Sequence, residues 1–82
     1  MSIQFEWDKN KAKMNLQKHK VSFGEASTVF SDPLALIFDD EEHSTLEELR
    51  EIIIGNSERK RLLLTSFTER AENIVRIISD QP

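Results

Sequence analysis

Six cationic side chains and a histidine stand where phosphate chemistry could use them: Lys18 beside His19, the run Arg59-Lys60-Arg61, and the separate Arg70 and Arg76. Histidine is the side chain that ordinarily changes charge near neutral pH, so His19 could move a proton while Lys18 binds phosphate as a point charge. The arginine fork matches two phosphate oxygens at once, and the 59–61 run has the composition of a phosphate clamp at the mouth of a turn. Arg76 alternates with Ile74 and Ile78, so it shares one side of a strand with two apolar residues. Such an arginine either lies on an open sheet face or pairs with an acid such as Glu69 or Glu72.

Each group also has a purely structural use, and both uses stay open here. A Lys-His pair at a helix end satisfies the last carbonyls and complements the helix dipole. A basic turn can simply be solvated. Glu69 and Arg70 can pair with each other at a hairpin tip, for about 0–1 kcal/mol. His43 lies in a loop crowded with carboxylates, and it is not expected to be catalytic. Two histidines at positions 19 and 43 give no metal-ligand spacing, and the absence of cysteine removes any thiolate site. Gly24 and Gly55 are the only glycines, so there is no phosphate-cradling loop. No Ser–His–acid arrangement is legible, and no metal or other cofactor is expected.

The elements that must position these residues follow from periodicity. Ile3, Phe5 and Trp7 alternate as a half-buried strand. Asp8 caps a first helix running to about Lys18, with Ala12, Leu16 and His19 as a thin apolar stripe and Asn15 beside it. Lys20-Val21 ends it. Ser22 and Glu25 form a capping box for a second helix whose core face is Phe23, Ala26, Val29 and Phe30, and Pro33 stops it. Leu34–Phe38 reads as a strand. Residues 39–49 read as an acidic loop with a helical turn after Ser44 or Thr45. Ile52–Ile54 reads as a strand stopped by Gly55, and Arg61–Thr68 and Ile74–Ile78 complete a meander. The order β-α-α-β-β-β-β makes the chain α+β.

The composition describes one small domain, residues 1–82. A chain of 82 residues with 38% hydrophobic and 32% charged content is globular but buries little surface, so a protein partner or a homodimer would help stabilise it. No stretch approaches the ~20 apolar residues of a membrane span, no signal-peptide core opens the chain, and a cytoplasmic location is expected. The net charge of −4 is unevenly spread. Asp39, Asp40, Glu41, Glu42, Glu47, Glu48 and Glu51 face Arg50 alone, while the 1–25 and 58–76 segments are each net positive. Nucleic-acid binders concentrate positive charge; here only the flanks do.

The ordered segments FEWDKNKAKMNLQKHKVSFGEASTVFSD (5–32), DPLAL (32–36), His43 in the acidic loop, an isoleucine strand ending at Gly55, RLLL (61–64), TER (68–70) and RIIS (76–79) resemble the BrnT-type toxins. These are the ribonuclease partners of type II toxin–antitoxin modules. The resemblance implies a RelE/ParE-like fold, with a twisted, mostly antiparallel sheet and two N-terminal helices on one face. It implies metal-independent cleavage of RNA and neutralisation by a cognate antitoxin. Lys18, His19, Arg61 and Arg76 are then the expected catalytic residues, and Arg59, Lys60 and Arg70 the expected RNA-phosphate ligands. Such toxins usually continue with Ala-Arg and a basic helix, whereas this sequence reads Asp80-Gln81-Pro82 and lacks that helix. A BrnT-like protein that acts only as a protein-binding module is the alternative.

Overall fold

The local signals place the helices where the sequence expects them. In the computed structural model, which describes residues 2–82, β1 (Gln4–Glu6) leads into α1 (Lys9–His19). Asp8 caps α1, its carboxylate accepting from the amides of Asn10 and Lys11 at 2.8 and 3.0 Å. Those bonds, the Lys11 one foremost, hold the Asp8 carboxyl below its usual range. Lys20 adopts a left-handed conformation (φ 61°) and donates its amide to the Leu16 carbonyl, which ends the helix. Ser22 then caps α2 (Phe23–Thr28), accepting from the Glu25 amide at 3.0 Å, and a 3₁₀ turn follows at Val29–Ser31.

The rest is sheet: β2 (Leu36–Asp39), β3 (Arg50–Asn56), β4 (Leu62–Ala71) and β5 (Ile74–Gln81). The five strands lie in the order β1-β5-β4-β3-β2. β2 to β5 pair antiparallel, and β1 closes one edge parallel to β5. The sheet is therefore mixed, and the architecture is α+β.

Both helices pack on one face. Val21, Val29, Ile53, Leu63, Phe67 and Val75 form one cluster, and Phe23, Ala26 and Ile77 form another. Phe30 bridges the layers, its ring centroid 5.1 Å from Phe5 and 4.9 Å from Phe67. On β4 the alternation holds: Leu63, Thr65 and Phe67 are buried on the helix side.

Four expectations need correction. Leu16 is 48% exposed and Asn15 is buried, so the inward stripe of α1 runs through a polar residue. Gly55 does not stop β3 but lies inside it. A Cβ there would come 2.8 Å from the Ala35 Cβ and 3.0 Å from Val29 Cγ1, so glycine permits close packing of the 3₁₀ turn. The helical turn of the acidic loop precedes Ser44, at Glu41–His43, where His43 Nδ1 sits 2.9 Å from Asp40. Finally, the capping box is half formed, because the Glu25 carboxylate turns away from Ser22 to Arg61.

Two bulges redirect side chains on the last two strands. Ser66 pairs with Ser79 and Phe67 with Ile77, so Ile78 is an extra residue that reverses the alternation of β5 beyond it. Val75 and Ile77 point to the helices before the bulge, and Asp80 does so after it. Glu69 pairs with Val75 and Ala71 with Ile74, leaving Arg70 as the extra residue of β4.

Candidate functional site

Arg76 stands on the face of the sheet away from the helices, opposite in direction to its buried neighbours Val75 and Ile77. Its guanidinium is 34% exposed and donates from Nη1 to Glu6 Oε2 at 3.0 Å. Arg70 reaches the same oxygen, with Nη1 at 3.7 Å. The parallel pairing of β1 with β5 sets Glu6 directly beside Arg76, while the bulge at Arg70 brings the second guanidinium alongside. An exposed and a half-buried arginine thus converge on one half-exposed carboxylate. The acids expected as partners of Arg76, Glu69 and Glu72, are not the ones it uses, and Arg70 pairs with Glu6 rather than with Glu69.

Arg61 is in a different position. It directs its Nε to Glu25 Oε2 at 2.9 Å, its Nη2 to Glu25 Oε1, and the same Nη2 to the Lys20 carbonyl at 3.3 Å. Ser57 Oγ adds a 2.6 Å bond to Glu25 Oε2, and Arg59 lies 3.8 Å from Oε1. The Glu25 side chain is only 4% exposed. The Arg61 fork, helped by Ser57, holds its carboxyl down at about 2 against burial. The same bond pushes the Arg61 guanidinium up. The bidentate capacity of Arg61 is therefore already filled, tying the β3–β4 turn to α2. Lys60 is exposed in that turn with φ 62°, and Arg59 is 71% exposed, so these two keep free approach from solvent.

Lys18 and His19 end α1 beside the second half of β5. With Lys11, Met14, Ile78 and Ser79 they line a shallow cleft between helix and strand. Ile78 and Ser79 lie two and three residues beyond Arg76, roughly 7–10 Å along the strand. The floor of this region is a buried polar cluster. Asn15 Nδ2 donates to Asp80 Oδ1 and, at 3.2 Å, to the Val21 carbonyl, and the Asp80 amide donates to Asn15 Oδ1 at 3.1 Å. Asp80 is 1% exposed and Thr65, its cross-strand partner, 0%. Asp80 Oδ2 and Thr65 Oγ1 are both buried without a partner. Burial pushes the Asp80 carboxyl up to about 7, against the Asn15 bond and Arg61, with the negative charge of Glu25 adding to the rise.

The structure therefore divides the expected residues into three groups: Arg70 with Arg76, the 59–61 turn, and Lys18 with His19. Sequence reading missed Glu6, Glu25, Asn15 and Asp80. For Glu6 a signal exists, since it lies between Phe5 and Trp7 on the outward side of an alternating strand. For Asp80 none does, because a bulge directs it inward. Among the described residues no group of three metal-ligating side chains occurs, and no helix is long and apolar enough to cross a membrane.

The comparisons bear on the family and the fold. The family profile described as "Ribonuclease toxin, BrnT, of type II toxin-antitoxin system" matches residues 7–81. The crystal structure of the Brucella abortus ribonuclease toxin BrnT superposes with a TM-score of 0.71, covering 98% of this chain and 95% of that one at 20% identity. At that identity the likeness shows the fold alone. A search of curated proteins gives no significant match.

Proposed function

Because this chain belongs to the BrnT family of ribonuclease toxins of type II toxin–antitoxin systems, we propose that it cleaves RNA without a metal ion and is silenced by a cognate antitoxin. The observation that carries this reading is the pair of guanidiniums, Arg70 and Arg76, gathered on the uncovered sheet face around the Glu6 carboxylate. An arrangement of helices on one face and cations on the other also suits a RelE/ParE-like toxin.

Cleavage by transphosphorylation needs a base for the ribose 2′-hydroxyl, charge stabilisation for the phosphorane and an acid for the departing 5′-oxygen. In this reading Arg76 and Arg70 take the scissile phosphate, displacing Glu6 from their forks. The freed Glu6 carboxylate accepts the 2′-hydroxyl proton as that oxygen attacks phosphorus. The bond to the 5′-oxygen breaks, His19 supplies its proton, and a 2′,3′-cyclic phosphate is left. Lys18 holds the neighbouring phosphate. Arg59 and Lys60 extend the basic track, and Arg61 acts as a positioning residue through Glu25.

The test is cleavage of a defined RNA in excess chelator. Wild-type protein should give cyclic-phosphate ends, and Arg76→Ala should lower the rate about 10²- to 10³-fold, the scale of losing one charge-stabilising donor. Intact RNA with the wild type, or an unchanged rate in Arg76→Ala, would refute the reading.

A further inference from the structure

The same uncovered face carries a feature that RNA cleavage does not use. Leu36, Ile54 and Leu64 stand side by side in one cross-strand row, and Phe38 and Ile52 begin the next. Leu62 extends the stripe at the β3–β4 end. Leu36, Phe38 and Leu62 are 68%, 46% and 60% exposed, and Ile52, Ile54 and Leu64 are half-buried. Contiguous apolar surface of this kind marks an interaction site. β2 is moreover an edge strand, with no neighbour on its outer side among the described residues. Ile37, pointing to the opposite face, is 55% exposed as well. An added strand would pair the free backbone edge and cover side chains on both faces.

Charge decides what can be added. The segment leaving β2 and returning into β3, Asp39 to Glu51, carries seven carboxylates against Arg50, and Arg50 is itself bound to Glu48 at 2.8 Å. Asp39 and Glu51 are cross-strand partners. Burial first, then the charges of Asp39 and Glu69, push the Glu51 carboxyl above its usual range. A second copy joined through β2 would set two such segments side by side, and like charges across an interface oppose association. An extended segment alternating apolar side chains with lysine or arginine gains from both the stripe and the acids.

We propose that the β2 edge and the stripe of Leu36, Phe38, Ile52, Ile54 and Leu64 dock a basic, apolar-alternating segment of the antitoxin, added as a sixth strand. The identity of the partner rests on the assignment of this chain as a toxin, whereas its chemistry rests on the surface itself. Arg76 lies on the same face, so a partner anchored at the stripe can continue across the arginines and exclude RNA.

Two short synthetic peptides test this, one alternating valine with lysine and arginine, the other alternating valine with glutamate. Fluorescence anisotropy should show the basic peptide binding about tenfold or more tightly than the acidic one. Leu36→Ser with Phe38→Ser should weaken that binding about tenfold with the helix and sheet signals intact. Replacing the exposed Glu41 and Glu42 by lysine tests the charge separately and should weaken it as well. Equal binding of both peptides, or wild-type affinity in the serine variant, overturns the proposal. So does a wild-type dimer in sedimentation that the serine variant converts to monomer, because a second copy then occupies the edge. RNA cleavage measured on the same samples keeps the two readings apart: peptide binding by a protein that leaves RNA intact would remove the toxin reading and leave the docking surface standing.

Discussion

Arg61 lies just before β4 on the side that packs against the helices, whereas Arg76 lies on β5 on the side that does not. Both are held by a glutamate. Glu25 is 4% exposed and grips Arg61 through both oxygens, with Ser57 completing its shell. Glu6 is 42% exposed and offers one oxygen to Arg76 and Arg70 together. A bidentate pair whose carboxylate is buried and fully hydrogen-bonded is costly to open, while one on an exposed carboxylate contributes about 0–1 kcal/mol and exchanges readily with a competing anion. The two arginines thus differ less in chemistry than in what it costs to release them. That cost separates a structural clamp from the proposed phosphate-binding group.

The largest expected effect falls on the clamp. Arg61→Ala takes the guanidinium fork from the buried Glu25 carboxylate, leaving it Ser57 and the more distant Arg59, and should lower the urea midpoint more than Arg76→Ala does. RNA cleavage by the fraction still folded should change far less than it does in Arg76→Ala. If the two variants lose activity alike with equal stability, the division between the faces is wrong.

Next comes Asp80, whose titration runs opposite to that of Glu25. The Glu25 carboxyl lies lower when folded, so its contribution is present above about pH 4.5 and is lost as the pH falls toward 2. The Asp80 carboxyl lies higher when folded, at about 7. Between pH 4 and 7 the folded state then holds a proton that the unfolded state has released, so stability declines as the pH rises through that window. Asp80→Asn should remove this decline. It should stabilise the protein by on the order of 2 kcal/mol at pH 8, and the gain should fade toward pH 4. Thermal melts across the range check this, and a pH-independent difference would discard the account of a buried neutral acid.

The smallest expected effect is at Arg70. It is 52% exposed and 3.7 Å from Glu6, so Arg70→Ala should leave stability within about 0.5 kcal/mol of wild type. It should slow cleavage by roughly tenfold, less than Arg76→Ala does. A larger loss than at Arg76 would reverse their order in the proposed phosphate site.

Part of this organisation is legible in the chain residue by residue. The Asp8 and Ser22 caps lie where the helices begin, and the alternation of Arg61 with Leu63, Thr65 and Phe67 sorts β4 into its two faces. The alternation of Arg76 with Ile74 sets both opposite Val75 and Ile77, but it leaves undecided whether that face is open, and the bulge at Ile78 breaks it beyond Ile77. The family pattern is also written in the order of the segments. Each of these signals is local, because caps and alternation follow from backbone geometry within a few residues.

The carboxylate that each arginine meets is not written there. Glu6 and Arg76 are 70 residues apart and meet through a parallel β1–β5 pairing, and Glu25 and Arg61 are 36 apart and meet across the helix layer. Nor does the pattern reveal that a bulge at Ile78 turns Asp80 inward to Asn15. Local periodicity sets the direction of a side chain, but its partner depends on strand register and layer packing. Those are settled by long-range burial of the whole core, and one inserted residue is enough to reverse them.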